Sequence, residues 1–339
     1  MPFKNISLTG IDSSYSGLDF FLMKVDTLKP RLLSSVMTDK HHIVVTLSEE
    51  CDSSVFKADN FEIIDSTLNT TVPIDYLYHS KSKKEEFVLA YKSQLIKESI
   101  YYLLAKKLQD LEGNVFENEL SGLVVTDKPD TTAPKLSRTS PNQKSSTDFK
   151  NPEILIYFDD AIANKEIKDV IQFSDTSKNK IPFNIKFIDD ATLSIKPEKD
   201  LKPEKDYEIK IDLSKFMDAA GNKVDSIYTL KFSTITGVEF TGLSGKVITT
   251  KQNPVIVLQD AKDVKKYFTA APDKTSTYSF ERIDAGTYSL WIYSDNDSTK
   301  IFNKGYPDPF KYSEEFYFVK DTLKLRPRWS VTDYNIVFE

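Results

Sequence analysis

Asp130-Thr-Thr-Ala-Pro-Lys-Leu-Ser-Arg-Thr139 repeats the pattern of Asp26-Thr-Leu-Lys-Pro-Arg-Leu-Leu-Ser-Ser35, about a hundred residues earlier. Asp110-Leu-Glu-Gly-Asn114 returns after a similar interval as Asp218-Ala-Ala-Gly-Asn222, and each copy carries one apolar stretch early on, His42-Ile-Val-Val-Thr-Leu-Ser48 and Glu153-Ile-Leu-Ile-Tyr-Phe-Asp159. The marks suit turns and boundaries: glycine takes a positive φ without strain, Asp and Asn bond nearby backbone, and proline stiffens a short connection. They divide the chain into a unit at 26–129, a second at 130–236 and a remainder at 237–339. Asp12-Ser-Ser-Tyr-Ser-Gly17 precedes Asp26 as Asp110 to Asn114 precedes Asp130, so residues 1–25 read as the tail of a preceding copy.

The periodicity inside each unit is that of strands. Tyr207, Ile209 and Ile211 alternate with polar neighbours, as do Tyr228, Leu230 and Phe232, and Phe87, Leu89 and Tyr91. Each set shares one face of a half-buried sheet, and two such sheets hide their apolar faces against each other. Short strands punctuated by turns over about a hundred residues predict an antiparallel β-sandwich of immunoglobulin type.

The residues of the second unit resemble the bacterial Ig-like repeat of surface-layer and envelope proteins: Asp130-Thr-Thr-Ala-Pro134, the strand ending Tyr157-Phe158-Asp159, Leu201 followed by Tyr207-Glu-Ile, Asp218-Ala-Ala-Gly-Asn222, and Phe232-Ser-Thr234. The match covers residues 130–236 well and 26–129 more loosely, since Leu123-Val-Val-Thr126 replaces the closing Phe-x-Thr and the loop Lys81-Ser-Lys-Lys-Glu-Glu86 is more charged. The resemblance implies spacers and exposed modules of secreted or lipid-anchored proteins, with a signal or anchor upstream, and other envelope proteins or surface glycans as partners.

The repeat stops after Thr234. Gly245-Lys-Val-Ile-Thr249 and Pro254-Val-Ile-Val-Leu258 read as strands, followed by an expected hairpin in which Tyr278 and Phe280 run out, Ile283-Asp-Ala-Gly286 turns, and Tyr288, Leu290 and Ile292 return. This pattern resembles the transthyretin-like or carboxypeptidase-regulatory-like sandwich. The ending, Gly305-Tyr-Pro-Asp-Pro-Phe310 and Trp329 through Phe338, resembles the close of bacterial envelope chains, which implies a natural terminus at residue 339. The expected fold is therefore all-β, with tandem immunoglobulin-like antiparallel β-sandwiches and a C-terminal transthyretin-like β-sandwich.

The 339 residues are 40% hydrophobic and 28% charged, as in an ordinary globular chain. A formal charge of −6 gives no long-range attraction for nucleic acid. The N-terminus shows no signal-peptide pattern, and the apolar runs are of strand length, so no transmembrane segment is expected. A single cysteine, Cys51, cannot pair within the chain, and Glu49 and Glu50 beside it disfavour a thiolate.

Residue patterns for catalysis are missing. His41, His42 and His79 are the three histidines, and the first two, ahead of a strand, read as solvent-facing or edge residues. Gly242-Leu-Ser-Gly245 leads into a strand and fails as a nucleophile elbow. Glu49-Glu50, Asp159-Asp160 and Glu314-Glu315 are neighbours whose side chains point to opposite faces of a strand, unlike a hydrolytic carboxylate pair. No catalytic residue and no cofactor is assigned. Asp295-Asn-Asp-Ser-Thr299 leaves Asp295 and Asp297 as calcium candidates against a reading as a solvated acidic turn, because the loop lacks the closing bidentate Glu. Trp291, out of phase with Tyr288, Leu290 and Ile292, and Trp329 are candidates for an aromatic binding platform, against burial for packing. The expected function is a non-catalytic spacer or display protein of the bacterial envelope. The alternatives are a glycan- or protein-binding adhesion module, or an accessory region of a secreted hydrolase.

Overall fold

The computed structural model describes residues 26–79, 83–307 and 310–339. The expected tail of a preceding copy, residues 1–25, lies outside them, as do Lys81 and Ser82 of the charged loop. The described residues are all-β, and the chain divides into compact units between Ile235 and Thr236.

The first copy contains β1 (Leu32–Met37), β2 (His42–Leu47), β3 (Phe61–Asp65), β4 (Thr70–Pro73), β5 (Tyr76–His79), β6 (Glu86–Ala90), β7 (Tyr101–Gln109) and β8 (Val115–Leu123). Its sheets have the orders β1-β2-β6-β5 and β4-β3-β7-β8. The second copy contains β9 (Leu136–Ser140), β10 (Ser146–Thr147), β11 (Ile154–Phe158), β12 (Ile171–Asp175), β13 (Phe183–Asp189), β14 (Thr192–Pro197), β15 (Asp206–Asp212) and β16 (Ile227–Thr234), in the orders β9-β11-β14-β13 and β12-β15-β16-β10. Seven strands therefore correspond pairwise, β1 with β9, β2 with β11, β6 with β14, β5 with β13, β3 with β12, β7 with β15 and β8 with β16. The repeat seen in sequence is a repeat of topology.

Alternation does what it predicted. Tyr207, Ile209, Ile211, Leu230, Phe232, Phe87, Leu89 and Tyr91 are all buried, while Tyr228 is half-buried at its sheet's end. Residues from both sheets of the first copy fill one core, among them Ile43, Val45, Leu89, Phe61 and Leu103. Both Asp-x-x-Gly-Asn turns put their glycine at positive φ, +92° at Gly113 and +89° at Gly221. In each turn the Asp side chain accepts the backbone N–H and the side-chain amide of the Asn, at 2.7 Å each for Asp110 and at 2.8 and 2.9 Å for Asp218.

The two sandwiches share hydrophobic packing. Tyr76, Tyr78 and Ala90 from β5 and β6 belong to the core of the second copy, whereas Leu77, Phe87 and Leu89 on the same strands face their own core. Both faces of these strands are thereby covered, which is why Tyr76-Leu77-Tyr78 is apolar without alternation.

The C-terminal unit contains β17 (Phe240–Thr249), β18 (Pro254–Asp260), β19 (Tyr267–Ala270), β20 (Thr277–Asp284), β21 (Gly286–Ser294), β22 (Tyr306–Pro307), β23 (Phe310–Lys311), β24 (Phe316–Phe318), β25 (Leu323–Leu325) and β26 (Ile336–Phe338). One sheet has the order β20-β17-β26, with β26 parallel to β17; the other has the order β19-β18-β21-β24, with β25 beside β21. The expected hairpin at residues 278–292 is corrected here. β20 pairs with β17 and β21 with β18, so Ala285 marks a corner at which the chain passes from one sheet to the other. The alternation of Tyr278, Phe280, Tyr288, Leu290 and Ile292 reported their shared interior correctly, but two strands facing one core from opposite sheets alternate just as a hairpin does. Gly286 leaves room for the Tyr288 ring, whose hydroxyl donates to the Asp284 carbonyl at 2.9 Å and ties the corner.

Candidate functional site

A buried polar cluster lies between the two Ig-like sandwiches and centres on His42. The residue opens β2, directly after the turn in which the Asp39 carboxylate accepts the backbone N–H groups of His41 and His42 at 2.9 and 3.0 Å. Its Nδ1 lies 2.9 Å from the Asp39 carboxylate and its Nε2 lies 2.9 Å from that of Asp160, the second residue past β11. A carboxylate only accepts, and a neutral imidazole carries one N–H, so the two contacts require the doubly protonated imidazolium. Burial alone would push the imidazole down; the hydrogen bonds to Asp160 and Asp39 outweigh it and raise the group to about 10. Asp39 shows the reverse balance, with burial raising its carboxyl and the bonds from His42 and the turn carrying it below the usual range.

The expectation that His42 faces solvent or an edge is therefore corrected. His42 is buried, because the second sandwich covers the end of β2, and His41 is half-buried with Nδ1 2.9 Å from the Tyr91 carbonyl. His79 is the exposed one, 3.4 Å from Asp189. Around this bridge the β13–β14 turn grips the edge of β5: Asp190 accepts the Leu77 N–H at 2.7 Å, its own N–H donates to the Leu77 carbonyl at 3.1 Å, and Asp189 accepts from His79 at 3.3 Å. Lys165 lies 2.9 Å from Asp190 and 3.9 Å above the Phe187 ring. The sequence signal that points to this junction is the lost alternation at Tyr76-Leu77-Tyr78, and the reading of Phe87, Leu89 and Tyr91 as set among polar neighbours is corrected by the apolar Val88 and Ala90 between them, which face the second copy's core.

The remaining candidates fall elsewhere. Cys51 is buried, and burial, followed by the charges of Glu49 and Asp110, pushes its thiol up to about 12. The adjacent carboxylates do point apart: Asp159 accepts from the Lys135 backbone while Asp160 faces His42, and Glu315 pairs with Lys251 at 2.7 Å while Glu314 turns inward. Gly242-Leu-Ser-Gly245 lies inside β17.

The loop after β21 is not a solvated turn throughout. Asp295 is buried, Asp297 is exposed, and the structure adds Glu314, their carboxylate oxygens lying within 4.8 Å of one another. Each carboxylate already accepts loop N–H groups: Asp295 from Thr299 and Lys300, Asp297 from Thr299, and Glu314 from Asn296 at 2.8 Å and Asn303 at 2.9 Å. These bonds account for the shape of the loop, and Glu314 is its anchor. Glu314→Ala is expected to destabilise the C-terminal sandwich by about 1–2 kcal/mol, because two part-buried N–H groups lose their acceptor. Urea unfolding followed by tryptophan fluorescence measures this, and a change within about 0.5 kcal/mol would remove Glu314 from that role.

Trp291 and Trp329 do not form one platform. Trp291 packs on the outer face of the β18–β21 sheet against Val255, Val257 and Tyr293, stacked on Phe318 with ring centroids 5.4 Å apart and edge-on to Phe302. Its indole N–H is buried without an acceptor among the described residues. Trp329 is 76% exposed and sits beside the other sheet, its carbonyl accepting from the Thr241 hydroxyl at 2.7 Å.

Residues 130–234 match the family model described as the bacterial Ig-like domain, so the second sandwich is such a domain. No curated protein matches the chain's sequence. Among solved structures the chain is similar to domains 1–6 of the surface layer protein SbsC, at 10% identity over 90% of this chain and 54% of that one, with a TM-score of 0.28. It is also similar to the N-terminal part of the bacterial S-layer protein SbsC, at 13% identity over 61% and 44%, with a TM-score of 0.27. A third is the LD transpeptidase LdtMt1 in complex with imipenem, at 10% identity over 46% and 80%, with a TM-score of 0.25. The chain thus spans about half of the S-layer protein structures that it resembles, and at these values no functional argument rests on the likeness.

Proposed function

We propose that the chain is a non-catalytic structural module of the bacterial cell surface, in which tandem Ig-like sandwiches space and display the C-terminal sandwich. The observation that carries this reading is the junction: a bacterial Ig-like domain shares a hydrophobic core and a buried imidazolium bridge with a second sandwich of the same topology. Such a junction suits a stiff spacer, and it spends the buried histidine on structure. No helix among the described residues is long and apolar enough to cross a membrane. Other envelope proteins or surface glycans are the partners this reading implies, and the domain divisions at 129/130 and 236/237 belong to it. Protease treatment of intact cells, with released peptides identified by mass spectrometry, tests it. Peptides of this chain released without lysis are expected, and peptides appearing only after lysis would contradict the surface location.

A second reading, a glycan- or protein-binding module, is favoured by one observation, the stacked pair of Trp291 and the partly exposed Phe318. Quenching of Trp291 fluorescence by a surface glycan, abolished in Phe318→Ala, would support it; unaltered fluorescence would count against it.

A further inference from the structure

The two Ig-like sandwiches repeat their acidic ends as faithfully as their strands. In the second, Asp130 Oδ1 accepts the Thr132 N–H at 3.0 Å, the Asn222 amide donates to the Asp130 carbonyl at 3.4 Å, and Asp160 follows β11 by two residues. In the first, Asp26 Oδ1 accepts the Leu28 N–H at 3.0 Å, the Asn114 amide donates to the Asp26 carbonyl at 3.0 Å, and Glu49 follows β2 by two residues. Carboxylate oxygens of Asp26, Glu49 and Asp110 lie within 4.8 Å of one another, as do the facing atoms of His42, Asp130 and Asp160.

The two ends differ in their cation. Over Asp130 and Asp160 sits His42, delivered by the preceding sandwich with Asp39 behind it and Tyr78 beside it. Over Glu49 no Lys, Arg or His of the described residues forms an ion pair; burial, then Asp110, Asp26 and Glu112, push its carboxyl up. Three like charges gathered without a counter-charge among the described residues cost stability, and in the equivalent place the fold relieves that cost with a neighbour's basic side chain.

The geometry points to Asp26, Glu49 and Asp110 as a docking socket for another Ig-like sandwich, which supplies a basic side chain in the place that His42 takes over Asp160. This rests on the reading of the chain as a tandem module, and it names the partner of the first sandwich's acidic end: an Ig-like sandwich that leads into Asp26 as the first copy leads through Pro129 into Asp130.

The test is a lengthened full chain in which a second copy of residues 26–129 is inserted directly before Asp26, so that its Pro129 precedes Asp26. NMR titration of the imidazoles is expected to show the added copy's His42 still protonated at pH 8, like the original His42, and Glu49→Gln in the original first sandwich should return the added histidine alone towards its ordinary range. An added His42 that titrates near 6.5 whatever stands at position 49 would overturn the socket. As a second measurement, Glu49→Gln in the unextended chain should raise the unfolding midpoint by relieving repulsion, while Asp160→Asn lowers it. A lowered midpoint for both, or a saturable shift of the Glu49 carboxyl resonance on adding calcium, would show the cluster to be satisfied in another way and would overturn the proposal. These are solution measurements, so a failed surface location leaves their outcome untouched, and the two readings fail separately.

Discussion

Replacing His42 with alanine should destabilise the unit of two Ig-like sandwiches by about 3–5 kcal/mol at pH 7, the range found when one partner of a buried charge pair is removed. Asp39 and Asp160 remain shielded by the same packing, but their shared cation is gone. The pH dependence has a definite sign. A histidine raised to about 10 contributes fully below its ordinary value near 6.5, and the contribution is lost as pH rises through about 10. Asp39, held below its ordinary value, contributes above that value and ceases to do so as pH falls. The stability difference between the native and His42→Ala chains should therefore be widest near neutrality and shrink towards pH 10 and in acid. Urea unfolding of both chains at several pH values measures it, and a difference that is small or flat with pH would remove His42 from the junction. His42→Gln, which keeps hydrogen bonding without the charge, should fall between the two.

Gly245→Ala is the second large effect, confined to the C-terminal unit. A Cβ at Gly245 would overlap the backbone carbonyl of Tyr334 and stand 2.9 Å from its nitrogen. That backbone cannot retreat cheaply, because the Tyr334 N–H donates to Ser244 at 3.0 Å and the buried Tyr278 hydroxyl donates to the Tyr334 carbonyl at 2.7 Å. Relief requires lifting residues 331–338 from β17 and exposing Ile336 and Phe338, both core residues. A cost of about 3 kcal/mol is expected, at the upper end for overpacking, with loosened residues 331–338 becoming a site of proteolysis. An unchanged unfolding midpoint for the C-terminal unit would contradict the parallel placement of β26 on β17.

The sequence carried the architecture because its two periodicities are local. Alternation at Tyr207, Ile209 and Ile211 marks a buried face whatever the partner strand, and Asp218 with Gly221 and Asn222 builds a turn from within itself. Pairing is not local. Tyr278, Phe280, Tyr288 and Leu290 face one interior, and only the tertiary structure distinguishes a hairpin from a corner between sheets. The same limit hid the junction. His42 and Asp160 are 118 positions apart, and a histidine before an apolar strand carries no local mark of the carboxylate that a neighbouring sandwich will bring. The missed signal was the unbroken apolar run at Tyr76-Leu77-Tyr78, which a sheet with one wet face does not need. Asp295 and Asp297 stand two positions apart in one loop, whereas Glu314, the residue that closes that loop, comes from a distant segment in which the sequence marks it only as a neighbour of Glu315. Trp291 lay out of phase as read, on the outer face, yet packing from Phe302 and Phe316 had no counterpart in the alternation.

The most direct measurement on the central claim, that one protonated histidine joins two Ig-like sandwiches into a single unit, is an NMR titration of the three histidines in the full chain, with His42→Gln to assign the resonance. One imidazole should stay protonated beyond pH 9, show both ring N–H protons in slow exchange, and vanish in the variant. Three imidazoles that all titrate near 6.5 would contradict it.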